Sequence, residues 1–141
     1  MFITYFLFLL QQVNQIIMLN RIILLVGCII MVGCNSQQSS GVNQITSSEL
    51  KTILDKETVQ LVDVRTPEEF SAGHIEKAIN MNYFSDSFKS DINTLDKDKP
   101  VYLYCRSGNR SAKSARILQE LGFTKIYDLQ GGIIVWNRSN K

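Results

Sequence analysis

Apolar residues crowd the first quarter of the chain and then give way to short, regularly interrupted runs. Residues 1 to 33 are dominated by Ile, Leu, Val, Phe and Met with one charged side chain, Arg21, and every other charge falls beyond residue 48. From residue 46 onward, apolar stretches of strand length alternate with segments of helical spacing, each opened by a polar cap.

The elements follow in order. Thr46-Ser47-Ser48-Glu49-Leu50 supplies hydroxyl caps and an early acid ahead of a short helix through Asp55. Val59 to Val64 is a β-branched run broken by Asp63 and reads as a buried strand, after which Thr66 caps a helix with Pro67 at its first position. Ala72-Gly73-His74-Ile75 reads as a turn, Ala78 to Met81 as a short strand, and Phe84 to Leu95 as a weaker helical region. Lys97 to Pro100 is a loop before the strand Val101 to Tyr104. Ala112, Ala115, Leu118 and Leu121 then recur at helical spacing within a helix from Ser111 to Leu121, with Gly122 at its C-cap. Lys125 to Leu129 is the last strand, and Gly131-Gly132 opens a final helix carrying Trp136. This alternation predicts an α/β fold with a mostly parallel central sheet and helices on both faces. Ligands in such sheets bind beyond the carboxyl ends of the strands.

The leader changes the picture of where the domain sits. Met18-Leu19-Asn20-Arg21 followed by Ile22 to Val32 has the form of a charged start and an apolar stretch of signal-peptide length, and Met1 to Ile17 holds no basic residue, which makes Met18 an alternative start. Met31-Val32-Gly33-Cys34, then Asn35 to Gly41, resembles a bacterial lipoprotein signal with its lipid-modified cysteine and a polar tether. Cys28 is the competing cleavage position, but it leaves too short an apolar stretch before it. An uncleaved membrane anchor is the competing reading of the whole leader. The expected organisation is a targeting segment at 1–33, lipidated Cys34 and a tether at 34–45, and a domain at 46–141, attached to a membrane of a bacterial cell envelope.

With 141 residues, 45% of them hydrophobic and 20% charged, the chain can build one domain core. The net charge of +2 is mixed in sign along the chain rather than clustered, which leaves no nucleic-acid footprint. Once Cys34 is acylated after cleavage, Cys105 is the only free thiol. In an oxidising compartment an unpaired cysteine points to reactivity rather than to a structural bridge.

Chemistry concentrates at Cys105-Arg106-Ser107-Gly108-Asn109-Arg110, a polar loop between a strand and a helix. A strand-loop-helix turn aims backbone N–H groups at the helix N-terminus, where orphan donors and partial positive charge favour an anion. A thiol there ionises easily, and Arg106 and Arg110 act in the same direction. The loop reads as a nucleophile in an anion cradle. Asp63 and Arg65 read as structural support, with Glu69 as a partner for Arg65, and His74 and Trp136 as packing residues.

Three separated motifs resemble the rhodanese (sulfurtransferase) family from about residue 46 to the C-terminus. These are Leu61-Val62-Asp63-Val64-Arg65 with Glu69-Phe70 and Gly73-His74-Ile75, the loop Cys105 to Ser111, and Leu129-Gln130-Gly131-Gly132 with Trp136. One departure is visible: the family continues from Gly-His-Ile into Pro-Gly-Ala, where this chain has Glu76-Lys77-Ala78. The resemblance implies that Cys105 thiolate takes the sulfane sulfur of a small anionic donor such as thiosulfate, holds it as a persulfide, and passes it to a thiol or cyanide. It implies no metal or organic cofactor. Loop N–H groups from Arg106 to Arg110 hold the charge, and Arg106, Ser107, Gly108, Asn109 and Arg110 bind substrate. Two other readings stand beside it. One is an oxyanion hydrolase or reductase, against which the four residues between Cys105 and Arg110 argue, since cysteine phosphatases have five. The other is a relay module fed by a protein persulfide.

Overall fold

Ten elements follow one another among the described residues: β1 (Val42–Ile45), α1 (Ser47–Leu54), β2 (Gln60–Asp63), α2 (Pro67–Ser71), β3 (Ile79–Asn80), α3 (Phe88–Ile92), β4 (Val101–Tyr104), α4 (Asn109–Glu120), β5 (Ile126–Leu129) and α5 (Gly132–Ser139). The computed structural model describes Gln11, Met18 and residues 41–141. The expectations placed on the leader, on Cys28 and Cys34, and on the tether up to residue 40 lie outside the described residues.

The strands form one sheet in the order β1-β5-β4-β2-β3, and every neighbouring pair is parallel. Alternation along the central strands splits the core in two, as the two-residue period of a strand requires. Leu61, Tyr102, Tyr104 and Leu129 meet Leu50 of α1 and Ile133 of α5 on one face. Val62, Val101, Leu103 and Cys105 meet Phe88 and Ile92 of α3 and Ala115 and Leu118 of α4 on the other. Helices thus cover both faces, as the pattern predicts.

Local chemistry sets the helix starts. Thr46 and Thr66 each close a capping box, their hydroxyls accepting from the N–H of Glu49 and Glu69 while those carboxylates accept from the threonine N–H. Pro67 occupies the first position of α2, where a missing N–H costs nothing.

Three boundaries differ from the sequence expectation. Val42–Ile45, read as tether, is an edge strand paired with β5, and Ile45 is buried. An edge strand needs only a paired backbone and one inward side chain, so polar Asn43 and Gln44 do not forbid it. The region Phe84 to Leu95 condenses to α3, whose Phe88 and Ile92 lie one turn apart and are both buried. Helix α4 starts at Asn109, and its buried face is Ser111, Ser114, Ala115 and Leu118, with Ala112 exposed. A buried serine is tolerated there because its hydroxyl finds a local acceptor: Ser114 Oγ donates to Arg110 O at 2.9 Å.

Candidate active site

The loop leaves the carboxyl end of β4, which lies between β5 and β2 in the sheet. Cys105 is the first residue past the strand, and Gly108, with φ +104°, turns the chain into α4. A left-handed residue at that corner is easy only for glycine.

Helix α4 has no side-chain cap, because Gly108 occupies the N-cap position. Its first-turn donors therefore need another acceptor, and Cys105 Sγ supplies it. The Gly108 N–H donates to Sγ at 3.1 Å and the Ser111 hydroxyl approaches it at 3.6 Å. Burial of the thiol opposes ionisation, but the Ser111 N–H and hydroxyl and the N–H groups of Ser107 and Gly108 outweigh it, and the Cys105 pKa falls below the ordinary thiol value. The sulfur is in effect the cap of the helix, and a thiolate caps better than a thiol. Cys105 is only 1% exposed, so a reactant must be slender where it meets the sulfur.

The far side of the loop is held by α5. The N–H groups of Ile133 and Ile134 at its start donate to the carbonyls of Cys105 and Arg106, at 2.9 and 3.3 Å. This approach leaves no room for a side chain: a Cβ on Gly132 would lie 2.4 Å from Cys105 O. Gly132, the second of the two glycines read in the sequence as the opening of a helix, thus lets α5 approach the nucleophile's own peptide.

Charge pairing around the loop departs from the sequence expectation. Glu69 does not pair with Arg65. It grips Arg110 instead through two hydrogen bonds of 2.6 and 2.8 Å, and this holds the Glu69 carboxyl down at about 2. Arg110 also lies over the Phe84 ring, 5.6 Å from its centroid, and feels the Cys105 thiolate as well as Glu69. Arg65 turns back to Asp63, with Nη2 2.6 Å from Oδ2, and donates to Gly73 O at 2.7 Å. Asn80 closes the same corner by donating to the carbonyls of Asp63 and Arg65. The buried Tyr104 hydroxyl accepts from the Ile75 N–H. Asp63 and Arg65 therefore anchor the Gly73 turn against the end of β2, and Tyr104 ties it to the end of β4. His74 stacks on Phe70 with ring centroids 3.8 Å apart and bonds Phe70 O.

Of the loop residues expected to hold the anion, Ser107 and Gly108 reach the sulfur through their N–H groups. The side chains of Arg106, Ser107 and Asn109 are exposed. Ser111, outside the expected site, supplies two donors, and Glu69 sets the orientation of Arg110. A serine three positions past a glycine N-cap is where a capping acceptor's partner stands, and that spacing marks Ser111 in the sequence.

The profile of the Rhodanese-like domain family matches residues 46–139. A protein named Sulfurtransferase from Allochromatium vinosum is 38% identical over 98 residues, covering 69% of this chain and 90% of that protein. Thiosulfate sulfurtransferase GlpE from Shewanella oneidensis is 32% identical over 101 residues, covering 72% of this chain and 98% of that protein. Among solved structures, a Rhodanese-like Domain Protein from Staphylococcus aureus superposes with a TM-score of 0.60 at 34% identity, covering 67% of this chain and 91% of that one.

Proposed function

The chain belongs to the rhodanese-like family, and we propose that it moves sulfane sulfur from thiosulfate or a related donor to cyanide or a thiol through a persulfide on Cys105. The observation that carries this reading is the sulfur acting as cap of α4: four donors converge on one buried atom whose pKa they lower. Cys105 thiolate attacks the outer sulfur of thiosulfate, the S–S bond of the donor breaks, and sulfite leaves with its electron pair. The negative charge then rests on the outer atom of the Cys105 persulfide, at the mouth of the same N–H ring. A thiophilic acceptor attacks that atom and the Cys105 thiolate returns. Two short covalent steps with a stabilised leaving group at each are ordinary nucleophilic catalysis.

Near-complete burial of Cys105 favours donors that present sulfur at the end of a thin group, which thiosulfate does. A cysteine persulfide on a flexible segment of a partner protein has the same form. The lipoprotein-like pattern around Cys34 supports attachment to a membrane of the bacterial cell envelope, with the domain carried on the tether.

Mass spectrometry after incubation with thiosulfate tests both parts. The expected result is a gain of one sulfur on Cys105, absent in Cys105→Ser, with a lipid on Cys34 in the same spectrum. Undiminished sulfur transfer to cyanide in Cys105→Ser would overturn the role of the cysteine. Phosphatase activity on aryl phosphates without turnover of thiosulfate would replace the reading with an oxyanion hydrolase. Comparing turnover on thiosulfate with turnover on a protein persulfide identifies the preferred donor.

A further inference from the structure

From residue 41 onward Phe84 is the most exposed large apolar side chain, at 65%. It is nonetheless held in place. Its N–H donates to Asn82 Oδ1 at 3.1 Å, its ring meets that of Tyr83 edge-on with centroids 5.5 Å apart, and Tyr83 meets Phe88 of α3 in the same way at 5.6 Å. An aromatic ring that faces water but is already anchored loses little freedom when another group settles on it.

The sheet brings this ring to the nucleophile's end of the fold. Strands β2 and β4 are neighbours with Asp63 opposite Tyr104, so Val64 lies level with Cys105. The Tyr83 N–H donates to Val64 O at 3.2 Å, which sets the segment carrying Phe84 about two strand spacings, roughly 10 Å, from the Cys105 backbone. Phe84 then closes on the loop itself, since the Arg110 guanidinium carbon lies over its ring, 5.6 Å from the centroid. Arg110 brings no net charge to that wall, because Glu69 takes both of its terminal nitrogens at 2.6 and 2.8 Å. The wall is an apolar ring on a neutralised ion pair. It offers a small anion such as cyanide little, whereas an apolar group gains by covering the ring.

We propose that Phe84 is a specificity-determining residue for the second half of the reaction, selecting as acceptor a thiol that carries an aromatic or apolar group one or two carbons from its sulfur. This rests on the Cys105 persulfide. Such an acceptor is slender at the sulfur, as the buried nucleophile demands, and lays its apolar group on Phe84. Its thiolate, the proton given up to solvent, attacks the outer sulfur of the persulfide. A new S–S bond forms, the bond from the outer sulfur to Cys105 Sγ breaks, and that electron pair returns to Cys105 as thiolate. The acceptor leaves as a persulfide, and no external oxidant or reductant takes part.

The test separates the two halves. Cys105 is loaded with thiosulfate, sulfite release is recorded and excess donor removed, and discharge of the persulfide is then followed with benzyl thiol and with 2-sulfanylethanol, two thiols of similar acidity. The readout is the ratio of the two second-order rate constants, since a role exerted only through Arg110 changes both alike. Phe84→Ser is expected to lower that ratio by about three- to tenfold, and Phe84→Leu, which keeps an apolar contact, by less. A ratio that moves by less than about twofold in Phe84→Ser, whether both rates hold or both fall, would overturn the proposal. A second measurement needs no substitution: benzyl alcohol added to the wild-type protein is expected to shift the ring proton resonances of Phe84, and resonances that stay in place would overturn the proposal as well. Absence of sulfite release from the wild type removes the sulfurtransferase reading and this inference with it. Sulfite release with an unchanged ratio removes only the role of Phe84.

Discussion

Glu69 and Arg110, 41 positions apart, lock the first turn of α2 to the first turn of α4 through two hydrogen bonds of 2.6 and 2.8 Å. The capping box of α2 has already fixed Glu69, since the carboxylate accepts from the Thr66 N–H at 3.1 Å. A side chain held by its own helix cap thereby holds the arginine beside the thiolate.

The pair makes stability depend on acid. Arg110 holds the Glu69 carboxyl at about 2, below the ordinary 4.5, so ionised Glu69 stabilises the fold above pH 4.5 and that contribution drains away as pH falls from 4.5 toward 2. Both side chains keep some contact with solvent, which limits the pair to about 1 kcal/mol. Thermal unfolding of Glu69→Gln is expected to be flatter than wild type across that acid window. Parallel curves would show that the pair adds nothing to stability.

Ser111→Ala removes one of the two donors that Ser111 gives the sulfur and keeps its N–H. Cys105 ionisation is expected to move to higher pH. If the shift is about one unit, sulfur transfer near neutrality falls by about tenfold and recovers in alkaline buffer. A loss equal at every pH would instead mean that the hydroxyl shapes the loop rather than the charge.

Much of the fold is legible because its signals are local. Thr66-Pro67 writes a cap and a first helical position into two adjacent residues, and the structure reproduces both, adding a capping box closed by Glu69. Cys105 is legible for the same reason, standing between an apolar run and a glycine-containing turn. The pairing of charges is not. Asp63, Arg65, Glu69 and Arg110 admit more than one set of partners, and only the folded chain, which brings the first turn of α2 to that of α4, assigns Glu69 to Arg110. Ser111 is marked only by its spacing from the glycine N-cap, since a small hydroxyl falls outside any apolar period, and β1 stays hidden because an edge strand needs so little hydrophobicity.

Lys77 occupies a left-handed conformation, φ +67°, at one of the positions where the chain departs from the rhodanese motif read in its sequence. Such a backbone costs a residue with a Cβ roughly 1–2 kcal/mol, against which glycine loses some chain entropy on folding. The Lys77 Nζ contact with Leu54 O at 3.3 Å is exposed and returns little. Lys77→Gly is expected to raise stability by about 0.5–1 kcal/mol in denaturant titration, with sulfur transfer unchanged. A loss of stability would show that the turn depends on the lysine side chain.

Gly131 and Gly132 separate stability from chemistry. A Cβ on Gly131 meets Val135 Cγ2 at 2.2 Å, a side chain on the same helix, whereas a Cβ on Gly132 meets Cys105 O at 2.4 Å and Arg106 C at 2.7 Å. Both backbones are left-handed, at φ +70° and +58°, so both alanine variants carry strain and are expected to lose roughly 1–3 kcal/mol. Only the second must push the peptide of the nucleophile away from α5, carrying Sγ off the donors of α4. A displacement on the scale of an ångström costs about 10²-fold in rate, so Gly132→Ala is expected to lose kcat by that order while Gly131→Ala keeps it, both measured well below their unfolding temperatures. Equal losses in the two variants would mean that the loop takes its position from α4 alone.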